Sequence, residues 1–426
     1  MDWREHAIWW HVYPLGFTGA LKEEGAPHRL GRLHPWLDHL LALGANGLAL
    51  GPIFASSTHG YDTIDHFRVD PRLGDDEDFA ALVSAAGERG VRILLDGVFN
   101  HVGRDHWAFQ DVLRNGASSP YAGWFRLRWT GGPEPEYDDF EGHHDLVALD
   151  HDNPAVADHV AEVIEHWLGR GAAGFRLDAA YAVPAAFWAR VADRVRAAHP
   201  GAYLMGEVIH GDYTAFVADA HLDSVTQYEL WKAIWSSLND GNLFELAHAL
   251  GRHDGFVEHF APWTFLGNHD VTRIASKLTD ERHLALAVAV LATVGGTPAV
   301  YYGDEHAFRG VKEDRAGGDD EVRPPFPPLP EDLSPLGLPT FHLHQELLAL
   351  RRRHSWLHRA RTTVHHVANE TLVYEQTDGD HRLLVALSTA GTPVTVPAPG
   401  ASEVLAGHAD LLGQDECLFS DWAVLG

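Results

Sequence analysis

The sequence predicts an α/β fold: a (β/α)8 TIM barrel with an inserted domain B after strand 3 and a small C-terminal antiparallel β domain. Short runs of β-branched and aromatic residues alternate with helical patterns from Ile8 to Arg352, which is the rhythm of parallel βα units. After the third strand, a stretch of about 40 residues shows no helical periodicity. From Arg361 onward the pattern changes to short β runs separated by turns.

The elements follow one another in the order that such a barrel requires. Strands are predicted over 8–13, 47–50, 91–95, 174–178, 203–206, 224–228, 263–266 and 299–302. Helical patterns cover 35–42, 75–89, 153–169, 184–198, 281–294 and 341–352. The acidic first turn after Asp75 and the proline at position 154 suit helix N-termini. Eight strands of this kind close into a barrel whose chemistry lies at their carboxyl ends.

Four domain segments follow from this order. The first part of the barrel covers 1–101, and the domain B insertion covers 102–145. The barrel then resumes over 146–356, and the C-terminal β domain covers 357–426.

Composition limits the class of partner. The chain has 426 residues, 45% of them hydrophobic and 22% charged, which is ordinary for a globular protein. Its net charge of −28 argues against nucleic acids and anionic membranes as partners, because both would be repelled. A single cysteine, Cys417, cannot form an intramolecular disulfide. No signal peptide or apolar run of about 20 residues is visible, so a cytoplasmic location is expected.

The 31 histidines are scattered without H-E-x-x-H spacing, and no C-x-x-C motif is present. We interpret most of them as surface groups or as supports for other side chains. A catalytic metal is therefore not expected.

The predicted fourth strand, Gly174–Asp178, carries the first candidate for chemistry. Arg176 and Asp178 lie two residues apart, so both side chains lie on one face of a strand. The guanidinium favours the ionised carboxylate and restrains its orientation, as a nucleophile needs. For an isolated R-x-D pattern, a structural ion pair at a strand end is the simpler interpretation.

Three further carboxylates favour a catalytic site over a structural ion pair. Asp96, Glu207 and Asp270 also fall at or just beyond the ends of predicted strands three, five and seven, and these ends converge in a barrel. Each alone could be a helix N-cap. Four at converging ends are hard to explain as caps, because gathering like charges costs stability. They are accompanied by His101, Arg176 and His269. Paired carboxylates of this kind suit glycoside hydrolysis.

Four segments carry a family resemblance. They are 96–101 (DGVFNH), 174–180 (GFRLDAA), 206–208 (GEV) and 265–270 (FLGNHD). In order and strand placement they resemble the four conserved regions of glycoside hydrolase family 13, the α-amylase family. The segments GPIF, HGYDTIDHFRVDPRLG and YYGDE resemble other parts of the same barrel, so the likeness extends from Ile8 to about Leu350.

The resemblance implies a role for each matching residue. Asp178 would be the nucleophile, Glu207 the general acid/base and Asp270 the transition-state stabiliser. Binding roles fall to a second set that would hold or support the sugar in the −1 subsite: Tyr61, Asp96, His101, Arg176 and His269. Tyr61 would stack on the sugar, and Asp96 would act as a support from strand three. The implied chemistry is a retaining double displacement through a covalent glucosyl-enzyme.

Within the family, the chain is most similar to the neopullulanase, cyclomaltodextrinase and maltogenic amylase branch, through phrases such as DGVFNHVG and YLMGEVIHGDYTAF. This implies a hydrolase of α-1,4 bonds in small cyclic or linear maltooligosaccharides, and a cyclic maltosyl-maltose hydrolase is one specific form. An α-glucosidase or transglycosylase on the same scaffold is the alternative. A non-catalytic binding barrel is a third class, but such proteins lose carboxylates that this chain keeps.

The chain departs from that branch at three places: 147–150 (VALD), Tyr181-Ala182 and Ile209. These positions are expected to line the acceptor side. The branch typically carries an N-terminal β-sandwich that builds its dimer, whereas strand one begins here at about Ile8, so a homodimer would be built differently. His143 and His144 are interpreted as solvent-facing rather than as subsite residues.

Calcium is the one metal that the resemblance raises. Asn100 resembles a calcium-ligand position of secreted α-amylases, but no compensating acidic cluster can be assigned in the insertion. The expectation is therefore that no cofactor is required.

Overall fold

A computed structural model describes residues 2–21, 28–132, 134–315, 317–413 and 415–426. In these residues the predicted barrel is present. Its strands are β1 Trp9–Val12, β2 Gly47–Leu50, β3 Arg92–Val98, β4 Gly174–Asp178, β5 Tyr203–Gly206, β6 Ser224–Val225, β7 Trp263–Phe265 and β8 Thr297–Tyr301. All pairs between them are parallel, in the order β6-β5-β4-β3-β2-β1-β8-β7, and a parallel bridge between Thr226 and Trp263 closes the ring.

Strand β1 shows why two adjacent tryptophans fit a barrel. Successive side chains of a strand point to opposite faces. Trp9 therefore packs in the barrel interior, with its ring 5.6 Å from that of Trp263. Trp10 faces the helical layer, where its ring stacks 6.0 Å from Trp36. Both tryptophans are fully buried. A strand that is covered on both faces needs apolar residues at successive positions, and β1 has them.

Helices cover the outside of the barrel: the six predicted ranges are helical, whereas Tyr213–Ala220 and Phe244–Val257 were not predicted. The longer ones are Trp36–Leu43, Asp76–Glu88, Pro154–Gly169, Ala185–Ala198, Tyr213–Ala220, Tyr228–Asp240, Phe244–Val257, His283–Thr293 and Leu338–Arg353, and two short ones are Pro14–Phe17 and Ile274–Lys277. Asp75 caps the Asp76–Glu88 helix through a capping box, which explains its acidic start.

Two predicted strands were wrong in extent. β3 continues to Val98, so Asp96 lies within the strand rather than beyond its end. β6 covers only Ser224 and Val225, and Tyr228 already begins a helix, because the side chain of Gln227 caps that helix by accepting from the Leu230 amide.

The insertion contains more regular structure than its sequence suggests. Its helix Trp107–Asn115 corrects the interpretation that the region lacks helical pattern. Short antiparallel strands accompany the helix: His101–Gly103, Leu127–Arg128, Glu136–Tyr137, Asp139–Phe140 and His143–Ala148. A hairpin of Phe54–Ser56 and Thr63–Val69 lies between β2 and β3. The four domain boundaries themselves stay a prediction.

The C-terminal residues form the predicted antiparallel sheet. Its strands are β9 Arg361–Val367, β10 Thr371–Thr377, β11 Arg382–Ser388, β12 Val394–Pro397, β13 Val404–Leu412 and β14 Glu416–Leu425. The sheet packs against barrel helices, where the Tyr374 hydroxyl lies 2.8 Å from Thr293 Oγ1 and Arg361 pairs with Asp254 at 2.6 Å. In the described part of the chain, no helix has the length and apolarity needed to cross a membrane.

Candidate active site

Alternation along β4 aims two polar side chains into the barrel. Phe175 faces the helical layer, with its ring 6.3 Å from Phe54, while Arg176 and Asp178 face inward. Gly174 is required at the start of the strand, because a Cβ there would lie 1.9 Å from the Tyr203 carbonyl oxygen. The close approach of β4 to β5 then places Arg176 beside Met205 and Leu177 beside Gly206, one residue before Glu207.

Arg176 joins three carboxylates. It is the register partner of Asp96 on β3, and its Nη1 donates to both Asp96 oxygens at 2.7 and 2.6 Å. The same nitrogen lies 3.2 Å from Asp178 Oδ1, and Nη2 lies 2.9 Å from Glu207 Oε1. All four side chains are buried. The fork of the guanidinium therefore fixes the positions of the carboxyls relative to each other.

Glu207 accepts two further hydrogen bonds. The Ala179 amide donates to Oε2 at 3.0 Å, and the Tyr228 hydroxyl donates to Oε1 at 3.2 Å. Asn268 in turn donates to the Tyr228 hydroxyl at 2.9 Å. Ala179 adopts a left-handed backbone conformation with φ of 45°, which is strained for a residue other than glycine and turns its amide toward Glu207.

Burial and the charge of Glu207 raise the pKa of Asp178 well above its ordinary value, and Arg176 opposes this shift. For the ionisation of Asp178, the sequence argument used the guanidinium, which does favour the charged form. It could not weigh the desolvation or the closeness of Glu207, because both depend on the barrel interior. The charge of Glu207 therefore works against the ionised Asp178 that nucleophilic attack needs, and the charge of Arg176 works in its favour.

Asp270 has the opposite electrostatic surroundings. Although burial raises its pKa, the His269 ring, Arg323 and Lys312 together hold the pKa of Asp270 well below its usual range. Its Oδ2 lies 2.9 Å from His269 Nε2, and Arg323 Nη2 donates to Oδ1 at 2.9 Å. Asp270 is thus kept ionised, as a group that stabilises positive charge must be.

Tyr61 contacts three other residues with rings: Tyr13, His101 and His269. Its hydroxyl donates to Asp96 Oδ2 at 3.0 Å and hydrogen-bonds His269 Nε2. Its ring stacks parallel to Tyr13, with centroids 6.5 Å apart. His101 bonds the Tyr61 carbonyl oxygen through Nε2 at 3.0 Å, and burial lowers the pKa of His101 to about 4, so its ring is neutral.

A cavity of about 490 Å³ opens above these residues. Five of the eight sequence-predicted side chains line it: Tyr61, His101, Asp178, Glu207 and Asp270. Arg176 and His269 border a smaller void of about 20 Å³ beneath the cavity, and Asp96 is buried against Arg176. The structure thus brings all eight residues together. Arg176, His269 and Asp96 lie beneath the carboxylates that line the cavity.

The acceptor-side positions are only partly where the sequence suggested. Tyr181 and Ile209 line the cavity, but Val147 and Leu149 are buried in the core of the molecule, and Leu146 faces the cavity instead. His143 also lines the cavity, which corrects its interpretation as a purely solvent-facing residue. His144 is exposed and pairs with Asp139 at 2.6 Å.

Sequence reasoning missed Arg323, Lys312, Tyr228 and Asn268. Arg323 lies in a proline-rich stretch without a recognisable motif, and only the fold brings it to Asp270 and over the Tyr13 ring at 4.8 Å. Asn268 stands inside the FLGNHD segment, so its position beside two predicted residues was a usable signal.

We expect Arg323→Met to lower kcat by about 10²-fold, because Asp270 loses its charge-assisted hydrogen bond and its orientation. Initial rates on maltotriose at pH 7 measure the effect. Lys312→Met is the matched control, since Lys312 Nζ lies 3.9 Å from Asp270 and its smaller loss should leave kcat within a few fold. Equal losses in the two variants, or full activity of Arg323→Met, would contradict this role.

The residues around Asn100 give a calcium ion little support. The Asn100 amide nitrogen lies 3.1 Å from His101 Nδ1. Among the described residues, the groups of three or more His, Cys, Asp or Glu that could hold a metal do not include one beside Asn100. Calcium prefers several oxygen ligands. Independence from a cofactor stays a prediction.

A closed parallel barrel whose strand ends direct carboxylates of contrasting electrostatics into one cavity defines the chain as a glycoside hydrolase. Comparison with known proteins specifies the family. The model for the α-amylase catalytic domain matches residues 30–327. The chain therefore belongs to the α-amylase family, glycoside hydrolase family 13.

Individual relatives include proteins named as cyclomaltodextrinases, as the resemblance to that branch predicts. A cyclomaltodextrinase of Geobacillus thermopakistaniensis is 30% identical over 436 residues, which cover 93% of this chain and 71% of the relative. A cyclomaltodextrinase of Bacillus sp. is 35% identical over 288 residues, or 64% of this chain and 51% of the relative. This chain thus spans about half of the second relative and seven tenths of the first.

Among solved structures, the ligand-free cyclic α-maltosyl-(1→6)-maltose hydrolase from Arthrobacter globiformis superposes with a TM-score of 0.85 at 28% identity. The match covers 100% of this chain and 99% of that one. The predicted family, fold and enzyme class are confirmed.

Proposed function

We propose that the protein is a retaining hydrolase of α-1,4-glucosidic bonds in small cyclic or linear maltooligosaccharides. The observation that carries this is the placement of Asp178 and Glu207 on the two terminal nitrogens of one guanidinium, at 3.2 and 2.9 Å. Retention needs two carboxyls that are close together, one to attack and one to exchange a proton. The names of the cyclomaltodextrinase relatives and of the cyclic maltosyl-maltose hydrolase support the α-glucan substrate.

Each carboxylate has a distinct role in this proposal. Asp178 attacks the anomeric carbon and forms the glycosyl ester, while Glu207 gives its proton to the leaving glycosidic oxygen. Glu207 then takes a proton from water, and that water releases the sugar from Asp178. Asp270, held ionised by its cationic neighbours, stabilises the positive charge of the oxocarbenium-like transition state.

The remaining predicted residues hold the sugar or the carboxylates. Tyr61 offers the face of its ring to the −1 sugar, and His101 lines the same wall. Arg176, Asp96 and His269 position the carboxyls from below, through the ion pairs of Arg176 and the contact of His269 with Asp270.

A contact across the acceptor side favours short substrates. The Tyr181 hydroxyl donates to Glu141 Oε1 at 3.2 Å, which joins the loop after β4 to the insertion. Both residues line the cavity, and Phe140 and His143 of the insertion line it as well. We expect this contact to hinder a long polymer more than a small ring or a short chain, because it joins two walls of the cavity.

A product time course on matched substrates tests the proposal. The panel is cyclodextrins, a cyclic maltosyl-maltose, pullulan, soluble starch and linear maltotriose, each at equal concentration. We expect fast ring opening and slow attack on starch. Glucose release from chain ends, or longer products that accumulate at high sugar, would instead support an α-glucosidase or transglycosylase. Binding without turnover of any substrate would support a non-catalytic barrel.

We further propose a location inside the cell. The name of an intracellular maltogenic amylase of Bacillus subtilis, 29% identical over 341 residues, supports this, as does the single buried cysteine. The negative charge supports the absence of nucleic-acid and membrane partners. The protein is either a monomer or a homodimer, and light scattering measures which of the two forms.

A further inference from the structure

Three buried histidines meet next to the end of β3, where His66 contacts the Val98 carbonyl oxygen. They come from separate elements: His66 from the hairpin strand Thr63–Val69, His106 from the cap of helix Trp107–Asn115, and His159 from helix Pro154–Gly169. They are 1%, 0% and 8% exposed. The three therefore lie where the insertion packs against the barrel, and none has a role in the proposed glycosidase chemistry.

The three rings converge on one point. One ring nitrogen from each of them lies within 4.8 Å of the others. Each ring also has a buried nitrogen without a hydrogen-bond partner in the described residues: His66 Nδ1, His106 Nε2 and His159 Nε2. A buried polar atom without a partner is costly, and three together need an explanation.

The orientation of His66 suits a metal ligand. Its Nε2 lies 2.9 Å from the Val98 carbonyl oxygen, so Nε2–H donates and Nδ1 keeps its lone pair. Metal-bound histidines usually donate their other N–H to a carbonyl or carboxylate in this way. His106 needs a larger change: its Nδ1 accepts from the Ala108 amide at 3.3 Å, so ligation through Nε2 would move the ring proton to Nδ1, break this capping hydrogen bond and turn the ring away from the amide.

The surroundings of the three rings are apolar and closed to bulk solvent. Burial disfavours a positive charge on each of the three rings. Aromatic rings enclose the group, with Trp107 5.0 Å from His106 and Trp124 4.8 Å from His159. Neutral imidazoles are the form that binds a metal.

We propose that His66, His106 and His159 form a binding site for one divalent transition-metal ion of the zinc class, which ties the insertion to the barrel. Three imidazole nitrogens suit Zn²⁺, Co²⁺ or Ni²⁺ better than Mg²⁺ or Ca²⁺, which prefer oxygen. Side-chain rotation has to shorten the distances between the nitrogens for a common ion, and water can fill a fourth position.

Two other groups of potential ligands differ in that each contains carboxylates that already have hydrogen-bond partners. In the buried group His39, Glu305 and His306, the Glu305 carboxylate already accepts from Trp10, His39 and the Gly303 amide at 3.2, 3.2 and 2.8 Å. In the group His28, Asp75 and Asp78, the aspartates form a helix capping box, and His28 and Asp75 are exposed.

Metal titration of the full chain tests the site. Protein stripped with a chelator is titrated with Co²⁺ and separately with Zn²⁺, and bound metal is counted after dialysis. We expect one ion per chain, a Co²⁺ visible spectrum of nitrogen coordination, and a thermal midpoint raised by roughly 3 °C at Zn²⁺ 100-fold above Kd. His159→Phe should lose all three responses, since it removes a ligand but keeps an aromatic ring in an aromatic pocket.

His28→Gln is the matched control, because it removes a histidine from the exposed group and should leave one bound ion and the full stabilisation. If His159→Phe does not fold, X-ray absorption of Co²⁺ on the unaltered chain counts the nitrogen ligands directly. Equal metal content in the unaltered chain and in His159→Phe, fewer than three nitrogen ligands, or no shift of the midpoint with Zn²⁺ would overturn the site. None of these measurements depends on glycosidase activity.

Discussion

Replacement of Asp178 by asparagine is expected to lower kcat/KM on maltotriose by at least about 10⁴-fold, because the amide cannot form the glycosyl ester. Binding should persist, since the cavity keeps its shape and Arg176 can still contact the amide oxygen. Initial rates and equilibrium binding of maltotriose measure the two effects. Loss of turnover with retained binding separates a catalyst from a binding barrel.

The stability of Asp178→Asn gives a second measurement with a defined sign. Folding raises the pKa of this carboxyl, so its ionisation costs stability at any pH above its unfolded-state value. At pH 7 the asparagine variant should therefore unfold at the same or a higher temperature than the unaltered protein. The exposed Asp421→Asn serves as the control for activity and should keep full turnover. A large fall in the midpoint of Asp178→Asn would contradict the raised pKa.

Glu207→Gln should lower kcat/KM by a factor that depends on the leaving group of the substrate. On maltotriose, the first step loses its proton donor, and kcat/KM should fall by about 10²- to 10⁴-fold. On α-maltosyl fluoride, whose leaving group needs no proton, the same constant should stay within a few fold of the unaltered enzyme. Azide, which attacks without a general base, should then restore the slow second step and yield a glycosyl azide.

Glu141→Gln is the control for this test. Glu141 lines the same cavity and contacts Tyr181, whereas Arg176 pairs with Asp96, Asp178 and Glu207. Its effect should be similar on both substrates. Equal losses of Glu207→Gln on maltotriose and on the fluoride would show that Glu207 is not the acid, whatever the size of the loss.

Much of the fold could be predicted because its signals are local. The barrel strands are short apolar runs that end at glycine, proline or an acid, and the helices carry their own caps, such as Asp75. The predicted extent of β6 was wrong because the Gln227 side chain caps a helix that begins at Tyr228, and the sequence pattern did not show this cap. The helix in the insertion buries Ala108, Phe109 and Val112 on one face, so its apolar pattern was a usable signal, but only nine residues carry it.

The sequence by itself determined which side chains come to the carboxyl ends of the strands. Period-two alternation and parallel order place Arg176, Asp178, Glu207 and Asp270 in one barrel mouth, and their order along the chain resembles one family. Local patterns suffice here because strand direction fixes the face of every side chain.

Only the tertiary structure decided the electrostatics of these groups and which side chains surround them. Desolvation and proximity raise the pKa of Asp178 yet keep that of Asp270 low, and both depend on distances that no local pattern contains. Arg323 reaches Asp270 from 53 residues further along the chain, and His66, His106 and His159 meet across three separate elements. Contacts between segments so far apart depend on how the whole barrel closes, which is why packing rather than pattern determines them.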